Sequence, residues 1–269
     1  MSHDRVLALE GVHNFRDYGG YPVAGGGRLR RGVLWRSGQH HGATEADLRR
    51  IAGLELAAVF DLRSAKERTL HPCRRPAGFA AQVFFGEDPP PRAAQKAGGH
   101  SAPHVAAAQV PRQRDAASAR EGMRRNYGMI AFRPELIAAM RRYLAALAEG
   151  RGTSLINCMA GKDRTGIAVA MLHLAVGVHR DDIVADYLLT NTAGDVEARI
   201  AAGMATITEV TGQLEPEVLR VLMGVEAEYL ESAFTLMADR HGSTDGYLRE
   251  ALGVDAAMKE RLRAALVEE

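Results

Sequence analysis

Two cysteines in 269 residues, Cys73 and Cys158, are too few for a disulfide framework. No run of about 18 apolar residues occurs, so no membrane-spanning helix is expected. The opening Met1-Ser2-His3-Asp4-Arg5 leads into no apolar stretch of the kind a secretory signal carries. The expectation is a soluble, cytoplasmic protein without stable membrane association, export by a signal-less route staying open. Neither sign of charge dominates: 34 Lys and Arg against 33 Asp and Glu leave +1. A nucleic-acid binder would carry a basic excess, so nucleic acid is not expected as a partner and any attraction for an anion must be local. His100 and His104 have no acidic or cysteine neighbours at ligand spacing, so no metal site is expected, and nothing implies a cofactor. The chain has no internal repeat.

What is present is enough apolar material, 46%, for one large α/β domain spanning residues 1–269. Residues 6–20 read as a first strand and a loop, with Asn14, Arg16 and Asp17 ahead of Gly19-Gly20. Arg16 and Asp17 are read first as an ion pair or turn that fixes this segment, and placement near a binding site is the alternative. Residues 28–37 read as a strand ending at Arg36-Ser37. Thr44 caps a helix, with Asp47 three residues on. Leu56–Phe60 is a buried strand with Asp61 at its carboxyl end, where open α/β sheets bind ligands. Ala81–Phe85 is the next strand. Residues 87–120, with Pro89-Pro90-Pro91 and Gly98-Gly99, read as a long mobile loop. Helices are expected at 117–131 and 134–149, within 194–240 with breaks at Gly212 and Pro216, and twice within 243–266.

The chain is organised around Asn157-Cys158-Met159-Ala160-Gly161-Lys162-Asp163-Arg164-Thr165-Gly166. Thr153–Ile156 before it reads as a buried strand. Ile167–Val176 after it reads as a helix apolar nearly all round. Strand, tight loop and helix gather backbone N–H groups at a helix N-terminus, which favours an anion. Cys158 opens the loop and Arg164 closes it, five residues intervening. A thiolate is a nucleophile, and a helix N-terminus beside a cation favours the ionised form. The N–H groups of Met159, Ala160, Gly161, Lys162, Asp163 and Arg164 would then hold phosphoryl oxygens, with the guanidinium matching two at once. Thr165 is placed to hydrogen-bond the sulfur, and Gly161 and Gly166 to let backbone approach closely. This chemistry is phosphate monoester hydrolysis through a cysteinyl-phosphate. A nucleotide-binding P-loop is excluded, because Ile156 and Asp163 stand where it needs Gly and Ser or Thr. The plainer alternative is a structural cysteine beside a basic turn.

The loop resembles that of the cysteine-based phosphatases, His-Cys-x5-Arg-Ser/Thr, and most of all the atypical bacterial tyrosine and dual-specificity phosphatases with an Ala-Gly-Lys-Asp-Arg-Thr-Gly loop. Asn14–Gly20, Leu34–Gly38, Phe60–Ser64, Asp186–Asn191 and Gly242–Leu248 fit the same family, so the resemblance covers nearly the whole chain. It implies the cysteine-phosphatase fold: a central, mostly parallel sheet of about four to five strands flanked by helices, with a helical lid over the site within 194–240. Asn157 departs from the family's usual His.

The resemblance leaves the proton donor open. The chain has no Trp-Pro-Asp loop, and its one tryptophan, Trp35, precedes Arg36. Asp163 is the first candidate for general acid and Asp61 the second. If Asp163 is not the acid, it positions Arg164. The expected substrates are phosphorylated proteins, through phosphotyrosine first and phosphoserine or phosphothreonine as a wider range. Lys162 and the loop's likeness to phosphoinositide phosphatases add phosphoinositides. The rival from another class is a pseudophosphatase, a phospho-ligand binding module that kept Arg164 and lost efficient catalysis with Asn157. A sulfur transferase or an arsenate reductase is a weaker alternative, the latter lacking a resolving cysteine.

Overall fold

The computed structural model describes residues 4–86, 115–197, 200 and 215–269. Its main sheet has five strands, ordered β1 (Arg16–Asp17), β3 (Leu34–Ser37), β6 (Ser154–Asn157), β4 (Ala58–Asp61) and β5 (Gln82–Phe85). β3, β6, β4 and β5 run parallel, and β1 is antiparallel to β3. The expected mostly parallel sheet flanked by helices is what the chain forms.

Register decides where the chemistry sits. Asn157 is opposite Ser37 on one side and Asp61 on the other, so the last residues of three parallel strands line up at the carboxyl edge. The loop that opens with Cys158 leaves that edge from the middle strand. Alternation sorts the strand residues between two cores. Val59 and Leu155 pack with Val12, Phe15, Leu48 and Ile51 on the face covered by α1 (Glu45–Ala52). Ala58, Phe60 and Ile156 pack on the other face with Met140, Tyr143 and Leu172. Each fully buried Leu, Ile or Phe contributes about 1.5–3 kcal/mol relative to exposure, which pins β6 against any slip of one residue.

The helix Asp163–Val176 is buried on nearly every side, as its composition requires, and ends at Gly177 in the left-handed conformation. Thr44 and Asp47 form a full capping box on α1. Helices Pro134–Ala148, Thr244–Glu250 and Ala256–Leu266 lie close to their expected positions, and Arg180–Leu188 forms a further helix after Gly177.

Two expectations are corrected. Residues 28–37 are two strands, not one. β2 (Arg28–Leu29) pairs with β7 (Val267–Glu268) in a separate small sheet, because Gly32 turns the chain at φ +75° and its N–H is taken by Asp17. The expected loop 87–120 lies outside the described residues as far as 114, but its last residues are helical. Asp115 caps the helix Ala116–Ile130 by accepting from Ser118 N. Much of the expected lid, residues 198–199 and 201–214, also lies outside the described residues. Of the rest, Pro216–Met223 and Ala227–His241 are helices broken at Gly224. The second buries Tyr229, Leu230, Ala233, Phe234 and Met237 in the main core.

Candidate active site

Cys158 follows β6 directly and is buried. The carbonyls of the loop after it turn outward. Met159 O accepts from Gln39 N at 3.0 Å. Gly161 O accepts from Asn14 Nδ2 at 2.8 Å and from Arg36 Nη2 at 3.0 Å. Lys162 O accepts from Gly166 N at 2.8 Å, the first turn of the helix. Among the described residues no hydrogen bond uses the N–H of Met159, Ala160 or Gly161. Gly161 sits at φ +65°, and a Cβ there would lie 2.4 Å from the Ser37 carbonyl, so no other residue fits without moving β3.

Arg164 is the second residue of the helix. Its Nη1 and Nη2 donate to Glu67 Oε2 and Oε1, both at 2.7 Å, and Nη1 also reaches Leu62 O at 3.1 Å. A guanidinium has five N–H donors. Three are used by these partners, which leaves the Nε hydrogen and the outer hydrogen of Nη2. Those two are parallel and form the side-on fork that matches two oxygens of a phosphoryl group. Nε is buried with no partner among the described residues. Burial acts to lower Arg164, but the Glu67 hydrogen bonds and the charges of Cys158 and Glu67 outweigh it and raise the group above its ordinary value. Burial alone would raise Glu67; Arg164 outweighs it and holds the carboxyl below its usual range.

Asp163 is buried, and its Oδ1 accepts from Tyr127 OH at 2.7 Å, with Lys162 Nζ 3.4 Å away. Burial first, then the Asp163 charge, pushes Tyr127 well up, so it stays a hydroxyl donor. The Lys162 ammonium donates to Leu222 O at 2.6 Å, tying the loop to the helix Pro216–Met223. Lys162 was expected to add a cation to the anion; its ammonium is engaged with this carbonyl and with Asp163. The Thr165 hydroxyl is buried and makes no hydrogen bond among the described residues, so the expected bond to sulfur is not formed here.

Asp61 does not offer a free carboxyl. Both its oxygens are held by Arg63, through Nε at 2.8 Å and Nη2 at 2.7 Å, and Oδ1 also accepts from Asn157 Nδ2 at 3.2 Å. Its place at the strand end was legible, but its geometry is that of a brace for Arg63 and Asn157. Arg63 Nη2 continues to Cys73 Sγ at 3.0 Å. Asp17 is a turn residue, accepting from Gly19 N and Gly32 N at 2.7 Å each.

Two residues escaped the sequence. Glu67 stands in Ser64-x-x-Glu67, which forms a capping box, and that local signal hides its second task of holding Arg164. Arg133 is half-buried just before Pro134 and hydrogen-bonds Asn126 Oδ1 at 3.1 Å. Burial chiefly lowers it; the nearby Arg164 charge adds to this, while Glu135, Asp163 and Glu67 oppose. It brings a second guanidinium to the neighbourhood of the catalytic loop, and nothing local in the sequence marks it.

A sequence model described as the tyrosine phosphatase family matches residues 7–268. The chain is 36% identical over 258 residues to a protein of Cupriavidus necator provisionally named a tyrosine-protein phosphatase, covering 95% of this chain and 86% of the relative. It is 33% identical over 285 residues to the triple specificity protein phosphatase PtpB of Mycobacterium tuberculosis, covering 97% of this chain and 99% of the relative.

Proposed function

The chain belongs to the tyrosine phosphatase family and is a cysteine-based phosphatase, and we propose that it hydrolyses phosphotyrosine together with phosphoserine or phosphothreonine in protein substrates. One observation carries the site assignment: Arg164, locked by Glu67, keeps its Nε–Nη2 edge uncommitted among the described residues, beside a loop whose Met159, Gly161 and Lys162 carbonyls are engaged elsewhere. A dianionic phosphoryl group supplies the acceptors that such a pair of donors and inward N–H groups require. The Cys158 thiolate attacks phosphorus and the ester oxygen leaves with a proton from Asp163. Water, deprotonated by the same carboxylate, then releases phosphate from the sulfur. Tyr127 holds Asp163 at the start of the helix, where its charge also matches the dipole.

The similarity to a relative whose name records triple specificity supports a range wider than one phosphoresidue. Phosphoinositides remain a second reading. The loop's composition favours them; the engagement of the Lys162 ammonium with Leu222 O and Asp163 argues against that side chain binding a second phosphate. The binding-module alternative rests on Asn157, whose amide is held by Asp61 and brings no positive charge to the cysteine.

The test is a hydrolysis panel of phosphotyrosine, phosphoserine and phosphothreonine peptides with phosphoinositides, run beside a nitrophenyl ester. Turnover of the peptides is the expected result. Protection of Cys158 from iodoacetamide by phosphate without any product would establish the binding module instead.

A further inference from the structure

Beneath the catalytic loop lies a buried cluster that the reaction scheme does not use. Arg16, Arg36 and Asp186 are each 1% exposed or less. Arg36 Nη1 donates to Asp186 Oδ2 at 2.7 Å and its Nη2 to Gly161 O at 3.0 Å. Arg16 donates to the Asp186 carbonyl at 2.9 Å, to Asp186 Oδ1 at 3.4 Å and to Asn14 Oδ1. Asn14 in turn donates through Nδ2 to Gly161 O at 2.8 Å and, more weakly, to Ala160 O at 3.4 Å. Two polar side chains, Asn14 and Arg36, therefore donate to one carbonyl of the loop, and Arg16 and Asp186 stand behind them.

That convergence has a geometric consequence. In a trans peptide the C=O of one residue and the N–H of the next point in opposite directions. Holding Gly161 O outward aims the Lys162 N–H inward, and holding Ala160 O aims the Gly161 N–H the same way. We propose that Asn14 and Arg36 are positioning residues for phosphate binding. They fix the orientation of the Gly161 and Ala160 peptides from outside the loop, and Arg16 and Asp186 hold those two donors in place. The arrangement also leaves two arginines against one carboxylate, hence one net positive charge behind an anion site. Asn14 adopts φ +60°, a left-handed conformation that Asn and Asp tolerate better than other side chains. The backbone thus presents this amide where a residue in ordinary conformation would not point.

The proposal rests on the phosphate reading of the site, and its test separates the two. Phosphate affinity is measured by how strongly inorganic phosphate protects Cys158 from iodoacetamide, beside kcat and KM for an aryl phosphate and the thermal midpoint. Asn14→Asp keeps the backbone conformation and the Arg16 contact but replaces the donor to Gly161 by an acceptor. Arg36→Lys keeps the charge but cannot span Asp186 and Gly161. Asp17→Asn, in the same segment, with a carboxylate that among the described residues meets Gly19 N, Gly32 N and Arg31, serves as the control for a purely structural effect. The expected result is phosphate protection weaker by about tenfold or more in Asn14→Asp and Arg36→Lys, a loss of the size a charge-assisted hydrogen bond carries. Asp17→Asn is expected to lower the midpoint and leave phosphate affinity within about twofold of wild type. Wild-type affinity in Asn14→Asp, or an equal loss in Asp17→Asn, would overturn the proposal. Absence of protection in the wild type would overturn the reading of the site, and the proposal with it.

Discussion

Arg164 and Glu67 meet as a bidentate pair, two N–H···O contacts of 2.7 Å, so the arginine reaches the active site already fixed in rotation. Lysine cannot reproduce either edge of this guanidinium. Arg164→Lys is therefore expected to be nearly as damaging as Arg164→Ala, losing roughly 2–4 kcal/mol of transition-state stabilisation in kcat/KM. Glu67→Gln is expected to lower kcat/KM by about tenfold or more, because the remaining acceptor no longer sets the angle of the Nε–Nη2 edge. Near-normal kinetics in both variants would place Arg164 away from the phosphoryl oxygens.

Cys158→Ser is expected to abolish turnover while leaving the fold and phosphate binding in place, since serine offers no comparable anion at neutral pH. Mass spectrometry of acid-quenched wild-type enzyme is expected to show one phosphate on the Cys158 peptide, and none in the variant. Chelators are expected to leave the rate unchanged. Residual activity within about tenfold of wild type in Cys158→Ser would remove the cysteine from the mechanism.

Asp163 is expected to act as the proton donor. Asp163→Asn should lose most activity on alkyl phosphates, whose leaving groups need the proton, and least on nitrophenyl phosphate. Tyr127→Phe removes the hydrogen bond to Asp163 Oδ1 and is expected to shift the limb of the pH–rate profile that Asp163→Asn abolishes. A loss equal across leaving groups would return Asp163 to a positioning role. Asp61 is a poor substitute, because Arg63 and Asn157 already engage both its oxygens.

His40 gives a stability prediction. Its Nε2 faces Ser37 Oγ at 2.9 Å, and burial, with Arg75 and Arg63 adding, pulls it down from 6.5 to about 3. Below pH 6.5 the unfolded chain takes a proton that the folded one refuses until about pH 3. Stability from this group is therefore full above 6.5 and falls as pH drops through that window, by about 1.4 kcal/mol per pH unit. Urea unfolding at pH 7 and pH 5 is expected to show a loss near 2 kcal/mol, roughly 1.5 pH units of that slope. His40→Asn is expected to show distinctly less of it. An identical loss in wild type and variant would clear His40 of any part in acid sensitivity.

The sequence by itself determined what depends on neighbours along the chain. Cys158 and Arg164 are separated by one loop, so a strand ending at Asn157 and a helix beginning at Asp163 bring them together whatever surrounds them. Thr44 with Asp47, and the apolar composition of Ile167–Val176, are local in the same way. Tertiary structure decided which charges meet. Glu67 and Arg164 lie 97 residues apart, and Arg36 lies 125 from Gly161. Such contacts follow from the parallel register that sets Ser37, Asn157 and Asp61 side by side, and the register is chosen by burial on both faces of the sheet. A charged residue in isolation reads as solvated surface or as a ligand. Only the packing of the folded chain brings Asn14 and Arg36 to the loop carbonyls and Glu67 to Arg164, because the desolvation that makes their hydrogen bonds obligatory exists only in the folded core.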